Sequence, residues 1–362
     1  MKIGIITFHN GSNYGAALQS FALQEALKKK KQNDVSIINY KNPFIMKGLN
    51  SFRFEFSIKG FYFLLIDIIN YKDRKTKKIN FFKFFNKYQL SPLLSKTELK
   101  NIDLKYDLIF SGSDQIWNPN LIGSIDDIYF GVIKNAKRKI SYGSSVGNYS
   151  FNNHFYNGEI RTLLEGFEKI SVREKAEDIQ TITQKKVFKV CDPTLLLDKR
   201  DWESCINETP FKEKYLLIYA LSEKYSIIQY AKKIAKEKNL KIYVIDGMIR
   251  KSQGVQYVYG NGPSEFINLF LNASYIVTNS FHGTAFAVNF QKNFVSVIHP
   301  KSPERAREFL QSVGLIHRLV QNNEYIEDIS NLEINNSQNL LKIIRENSLD
   351  FLDVQASVSY ES

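Results

Sequence analysis

YIVTNSFHGTAFAVNF, residues 275–290, passes from an apolar run through a polar elbow into a run of small apolar residues. Tyr275-Ile276-Val277 reads as a short buried strand, and Thr278-Asn279-Ser280-Phe281-His282-Gly283 as a turn. Thr284-Ala285-Phe286-Ala287-Val288 reads as a helix starting at the glycine. Strand, polar turn and helix N-terminus in that order favour an anion, because the first N–H groups of a helix lack intrahelical partners and its dipole is positive there. His282 sits where a titratable side chain would face that anion. The plainer reading is that it only caps the helix.

Working outward, the same grammar recurs. Residues 3–8 form a continuous apolar run, 9–14 are polar, and a helix opens at Gly15 with apolar positions at Leu18, Phe21, Ala22 and Ala26. It ends in lysines, which suit a helix C-terminus. Residues 35–39 are the next strand. This is βαβ order, which implies a parallel sheet with ligands at its carboxyl edge. The first loop is not GxGxxG, so no dinucleotide fingerprint is read. Strands at 107–110, 139–142, 170–172 and 188–190 each run into small polar residues: Ser111-Gly112-Ser113-Asp114, Gly143-Ser144-Ser145, Arg173-Glu174 and Cys191-Asp192-Pro193-Thr194. Strand ends that all carry such residues mark one edge of this sheet as a site.

Residues 43–100 read as an aromatic, basic helical excursion, and 198–214 as a linker. A second α/β unit follows: strand 215–220, helix 224–238, strand 241–245, a turn at Gly260–Pro263, helix 264–271, the elbow, strand 294–298 and helix 303–313. A last helix at 340–351 is expected to pack back on the first domain. The expected boundaries are 1–197 and 214–337, with 338–355 returning to the first. The fold class is α/β, with two Rossmann-like domains facing across a cleft, a GT-B-like arrangement.

A chain of 362 residues, 43% hydrophobic, suits two cores. Two cysteines, Cys191 and Cys205, point to a reducing compartment and no disulfide framework. The N-terminal residues do not read as a signal peptide, and no apolar run reaches the ~18 residues of a membrane span. The reading is cytoplasmic. The net charge of +12 attracts phosphates, nucleic acid or an anionic membrane. No nucleic-acid-binding motif is present. Lys72, Arg74, Lys75, Lys77 and Lys78 follow the apolar segment 61–69. One reading is a buried helix and then a solvated one; the other is a surface resting on the cytoplasmic leaflet. There is no D-x-D pair, His/carboxylate cluster or Walker loop. Neither metal nor cofactor is expected, and Asp126-Asp127 reads as a solvated turn.

Several pieces, taken in order, resemble the polysaccharide pyruvyl transferase family: Asn13-Tyr14-Gly15-Ala16-Ala17-Leu18-Gln19, Gly112-Ser113-Asp114-Gln115-Ile116-Trp117-Asn118-Pro119, Ser171-Val172-Arg173-Glu174, Asp192-Pro193-Thr194-Leu195-Leu196, Thr278-Asn279-Ser280-Phe281-His282-Gly283, and the segment from Arg305 to Gly314-Leu315. The resemblance implies a GT-B-like fold. It also implies phosphoenolpyruvate as donor and pyruvate transfer, as a ketal, onto a sugar of a surface polysaccharide or its precursor. The runner-up is a nucleotide-sugar glycosyltransferase of the same fold, or a non-catalytic scaffold at the membrane.

The chemistry narrows the candidates. Phosphoenolpyruvate carries about three negative charges at neutral pH. A carboxylate beside a phosphate calls for arginine, and Arg173 stands at a strand end. Its plainer role is an ion pair with Glu174 or Glu177. His282 can contact the phosphate or deliver a proton, and Asp114 is the candidate base, or else a turn cap. Asn279, Ser280, Gly283, Thr284 and Arg305 are read as donor-binding. Asn13, Tyr14, Gln115, Trp117, Asn118 and Ser145 are read as acceptor-binding, with Trp117 as a core ring the alternative. Family members often carry Arg where this chain has Ser280. Lys301 and Arg305 are the nearest replacements for that charge. Strand 294–298 should neighbour the elbow strand, bringing Arg305 into the cleft beside His282.

Overall fold

The structure is a computed structural model that describes residues 1–29, 33–48, 71–151, 154–206, 213–245, 252–300, 302–321 and 328–357. The chain divides into two units, one of Met1–Gly48, Asn86–Leu196 and Ile343–Ser362, the other of Leu49–Phe85 and Leu197–Lys342. Both are Rossmann-like.

In the first unit β1 (Lys2–Ile6), β2 (Asp34–Ile37), β3 (Leu108–Ser111) and β4 (Arg138–Ser141) pair in parallel in the order β2-β1-β3-β4. Single parallel bridges, Ile140 to Lys169 and Ser144 to Val172, carry the sheet on to β5 (Ile170–Val172), which pairs with β6 (Val187–Lys189). The chain order reverses between β1 and β3, and the carboxyl ends there form the crevice where such sheets bind ligands. Ile3, Ile5, Leu108, Phe110 and Ile140 are fully buried, which is why these strands read as unbroken apolar runs.

The helix Tyr14–Lys28 is buried almost all round instead of along one stripe. Its polar residues are paired accordingly: Gln24 donates to Val35 O at 3.1 Å and to Gln89 O at 2.8 Å.

In the second unit β7 (Tyr215–Tyr219), β8 (Lys241–Ile245), β9 (Gln256–Val258), β10 (Tyr275–Thr278), β11 (Asn293–Val297) and β12 (Leu319–Val320) form one parallel sheet, ordered β12-β11-β10-β7-β8-β9. β10 and β11 are neighbours, with Thr278 opposite Ser296, as the sequence implied. The reversal falls between β7 and β10, so the elbow that follows β10 stands at the switch point.

Three assignments differ from the sequence reading. The stretch read as a linker opens with a helix, Lys199–Ser204, whose Asp198 and Asp201 form a capping box and whose Trp202 is buried against Phe286. The apparent excursion contributes a helix, Tyr71–Phe85, that groups with the second unit, so the first is not the uninterrupted 1–197. Asp126 is not a solvated turn residue. It is buried and accepts hydrogen bonds from Tyr40 at 2.6 Å and Asn42 at 2.7 Å, and it pairs with Lys96 at 3.1 Å.

The last helix, Asn331–Ser357, runs longer than its apolar pattern suggested. Gln338 donates to Val288 O in the second unit at 2.9 Å. Beyond residue 343 it belongs to the first unit. There Arg345 donates to Leu195 O at 2.6 Å, Ser348 accepts from Cys191 N at 3.0 Å, and Phe351 packs on Tyr142 and Phe188. No described helix is long and apolar enough to cross a membrane. The apolar segment 61–69 lies outside the described residues.

Candidate functional site

Each unit carries its own constellation at the carboxyl edge of its sheet. In the second unit the helix begins at Phe281, two residues before the glycine, with Ser280 as N-cap. Ser280 Oγ accepts from Gly283 N at 3.4 Å and its carbonyl from Thr284 N at 2.9 Å. Serine suits this role, whereas arginine has no acceptor to offer. The Ser280 position therefore exchanges a cation for a cap.

The remaining elbow residues tie strands together. Thr278 Oγ1 donates to Tyr219 O at 2.7 Å and accepts from Ser280 N at 3.1 Å. Asn279 joins the elbow to the loop after β7, accepting from Leu221 N at 2.8 Å and donating to Ser222 O at 3.0 Å. Thr284 donates to Ser280 O and shares a 2.8 Å bond with Ser296 on β11. Gly283 lies so close to Thr278 that a Cβ would stand 2.2 Å from Thr278 Oγ1. Asn279, Ser280, Gly283 and Thr284, read from sequence as donor-binding, are all buried. Their side chains are committed to the frame of the elbow.

That frame presents His282, Phe281 and, from the helix Glu304–Ser312, Arg305, all half-buried. Phe281 meets the His282 ring edge-on with centroids 5.3 Å apart, and the Arg305 guanidinium carbon stands 5.7 Å from the Phe281 centroid. Phe281 is thus the common neighbour of the imidazole and the guanidinium. Phe309 completes the aromatic contact at 6.1 Å from Phe281. The sequence reading gives Phe281 no role of its own inside the polar elbow. Lys301 lies outside the described residues.

In the first unit the loop ends after β3, β4, β5 and β6 converge on Arg173. Its Nε donates to Glu174 Oε2 at 2.9 Å, Nη1 to Asp192 Oδ2, and Nη2 to Asp114 Oδ1 at 3.3 Å. Burial opposes the charge, but Glu174, Asp192 and Asp114 outweigh it and hold the guanidinium above its ordinary range. The cation read as a donor ligand is thus a buried hub for three carboxylates.

Asp192, whose Asp-Pro-Thr motif carried no assigned role, also accepts from Thr194 N at 3.0 Å and Oγ1 at 2.7 Å. Ser145 donates to Glu174 and accepts from Gly147 N at 2.9 Å. Asp114 has left-handed backbone (φ 72) after a cis Gly112–Ser113 peptide. Gly112 itself approaches Tyr142 O so closely that a Cβ would stand 2.0 Å away.

The expected acceptor residues fare unevenly. Trp117 is 0% exposed, stacks on Phe130 at 5.1 Å and donates to Tyr129 O at 3.1 Å, so it is a core ring and meets no sugar. Asn118 is buried too, donating to Gln115 and Asn148 and capping the turn at Asn120. Asn13 caps the helix Tyr14–Lys28 through Ala16 N, and Tyr14 is buried. Gln115 stays half-buried.

His9, unmarked in the sequence, lies at the β1 end of the crevice. Its Nδ1 donates to Thr7 O at 3.0 Å and Nε2 accepts from Asn10 at 2.8 Å. Burial holds this imidazole below its ordinary value.

Comparison with known proteins agrees with the fold. A UDP-GlcNAc 2-epimerase from Methanocaldococcus jannaschii, solved in complex with UDP-GlcNAc and UDP, superposes with a TM-score of 0.52. The two chains are 13% identical over 99% of this chain and 100% of that one. A second structure of the enzyme from that organism gives 0.50 at 13% identity, covering 99% and 100%. No curated protein matches the chain. A family model, Polysaccharide pyruvyl transferase, matches residues 13–301.

Proposed function

Because the chain belongs to the polysaccharide pyruvyl transferase family, a family of transferases, we propose that it moves pyruvate from phosphoenolpyruvate onto two hydroxyls of one sugar. The acceptor is a sugar of a surface polysaccharide or its precursor, handled in the cytoplasm at the inner face of the membrane. Each hydroxyl oxygen bonds to C2 of the donor. The methylene carbon gains a proton and becomes a methyl group, the C2–O bond to phosphate breaks, and inorganic phosphate leaves with the other proton. The observation that carries this reading is His282 in the first turn of a switch-point helix, with the Arg305 guanidinium over the ring of its neighbour Phe281. A proton donor and a cation that share one aromatic neighbour suit an enol phosphate.

In this reading His282 delivers the proton and Arg305 holds the donor. Asp114 is the candidate base because its side chain is the least buried of the three around Arg173, at 11% exposed against 4% for Glu174 and 0% for Asp192. Thermal denaturation with added ligand tests the donor. Phosphoenolpyruvate at about 100 Kd raises stability by about 2.7 kcal/mol. Stabilisation by a nucleotide sugar instead would make the chain a glycosyltransferase, and no response to either would make it a scaffold. Arg305→Ala is expected to raise the KM for phosphoenolpyruvate about tenfold or more, the loss of one hydrogen bond to a charged group, with little change in melting temperature. An unchanged KM would return Arg305 to an ordinary surface charge.

A further inference from the structure

The helix Tyr71–Phe85 has two unlike faces. One is docked within its unit: Phe81 and Phe84 are buried, Asn80 donates to Gly260 O at 2.9 Å, and the glycines at 260 and 262 leave room for Thr76 and Asn80. The opposite face carries exposed side chains. Phe82 is 65% exposed, Tyr71 47% and Ile79 46%, and Lys72, Lys75, Lys78 and Lys83 are exposed beside them. At about 100° per residue, Tyr71, Lys75, Lys78, Ile79 and Phe82 share an arc of about 100°, and Lys72 and Lys83 border it. Lysines therefore flank and punctuate an apolar ridge.

We propose that this face is a docking surface for an anionic lipid bilayer, the helix lying in the plane of the interface. The charge is of the right sign: the helix holds Lys72, Arg74, Lys75, Lys77, Lys78 and Lys83 against one acid, Asp73. The apolar ridge selects among anionic partners. A nucleic acid uses lysines and stacking rings but has no place for exposed Ile79, whereas the boundary between headgroups and acyl chains takes Ile79, Phe82 and Tyr71 while the lysines reach back to phosphates. The docked face keeps the helix from turning its ridge inward. The proposal does not depend on the donor chemistry, and its test does not use it.

The test is flotation of the full chain with vesicles. Binding is expected to phosphatidylglycerol-containing vesicles and not to pure phosphatidylcholine, and to weaken as salt shortens the reach of the lysines. Lys75→Glu/Lys78→Glu should weaken it more than about tenfold, since each lysine near such a surface is worth about a fivefold factor. Ile79→Ser/Phe82→Ser should weaken it comparably. Both variants should keep the wild-type melting temperature. No partition onto anionic vesicles would overturn the proposal. So would a charge variant that fails beside an apolar variant that binds normally, because the face would then be a plain basic patch of the kind that takes nucleic acid.

Discussion

Replacing His282 by alanine is expected to leave a folded protein whose turnover falls by about 10²–10⁴-fold, the usual contribution of a positioned proton donor. The fold should survive because the elbow is held by other groups. Thr278 bonds to β7, Asn279 to the loop beyond it, Ser280 caps the helix and Thr284 reaches β11. The imidazole itself is half-buried, so its removal leaves no closed cavity. Phosphate release measured with acceptor present, alongside the melting temperature, separates the two quantities. His282→Gln sharpens the result, since an amide keeps a hydrogen-bond donor and loses the titrating proton. Normal turnover in folded His282→Ala would remove the assignment, and rescue by Gln would make His282 a donor ligand and not an acid.

Arg173 should show the opposite pattern, a stability effect. Removing the guanidinium leaves Asp114, Glu174 and Asp192 facing one another with side chains at most 11% exposed. Breaking a buried charge pair on one side costs about 3–5 kcal/mol. For a unit of this size that is on the order of ten degrees in melting temperature. Arg173→Lys should recover only part of the loss, because an ammonium cannot direct a planar fork at three carboxylates. Read as a donor ligand, the same residue would instead lose affinity for phosphoenolpyruvate at unchanged stability. A denaturation curve and a donor titration of Arg173→Lys therefore decide between hub and ligand. A wild-type melting temperature with weakened donor binding would sink the hub.

What was legible follows from how strongly each feature is written in local chemistry. Buried parallel strands are continuous apolar runs, so Ile3, Ile5, Phe110, Ile140 and Val277 marked their sheets. The elbow, too, was visible as strand, polar turn and small residues. Direction and depth were not. A polar residue at a strand end can serve the frame or face a ligand, and only packing decides which. Asn279, Ser280 and Thr284 look like binding groups in one dimension and turn out to bond to the elbow and its neighbouring strands. Trp117 shows the same limit for an aromatic ring, since nothing in its neighbours along the chain announces the stack with Phe130. The Arg173 cluster joins residues from 114 to 192, a separation that a local reading does not span.

The closing helix sets a constraint on how the chain is made. The first unit is not a contiguous stretch, because Arg345, Ser348 and Phe351 belong to it. During synthesis the N-terminal strands leave the ribosome with the apolar rings of Tyr142 and Phe188 still waiting for Phe351. The second unit has each of its described strands in hand before that point. So the unit translated first is completed last, and a released chain truncated near residue 330 would carry the described strands of the second sheet and a first unit open to proteolysis at its β6 edge.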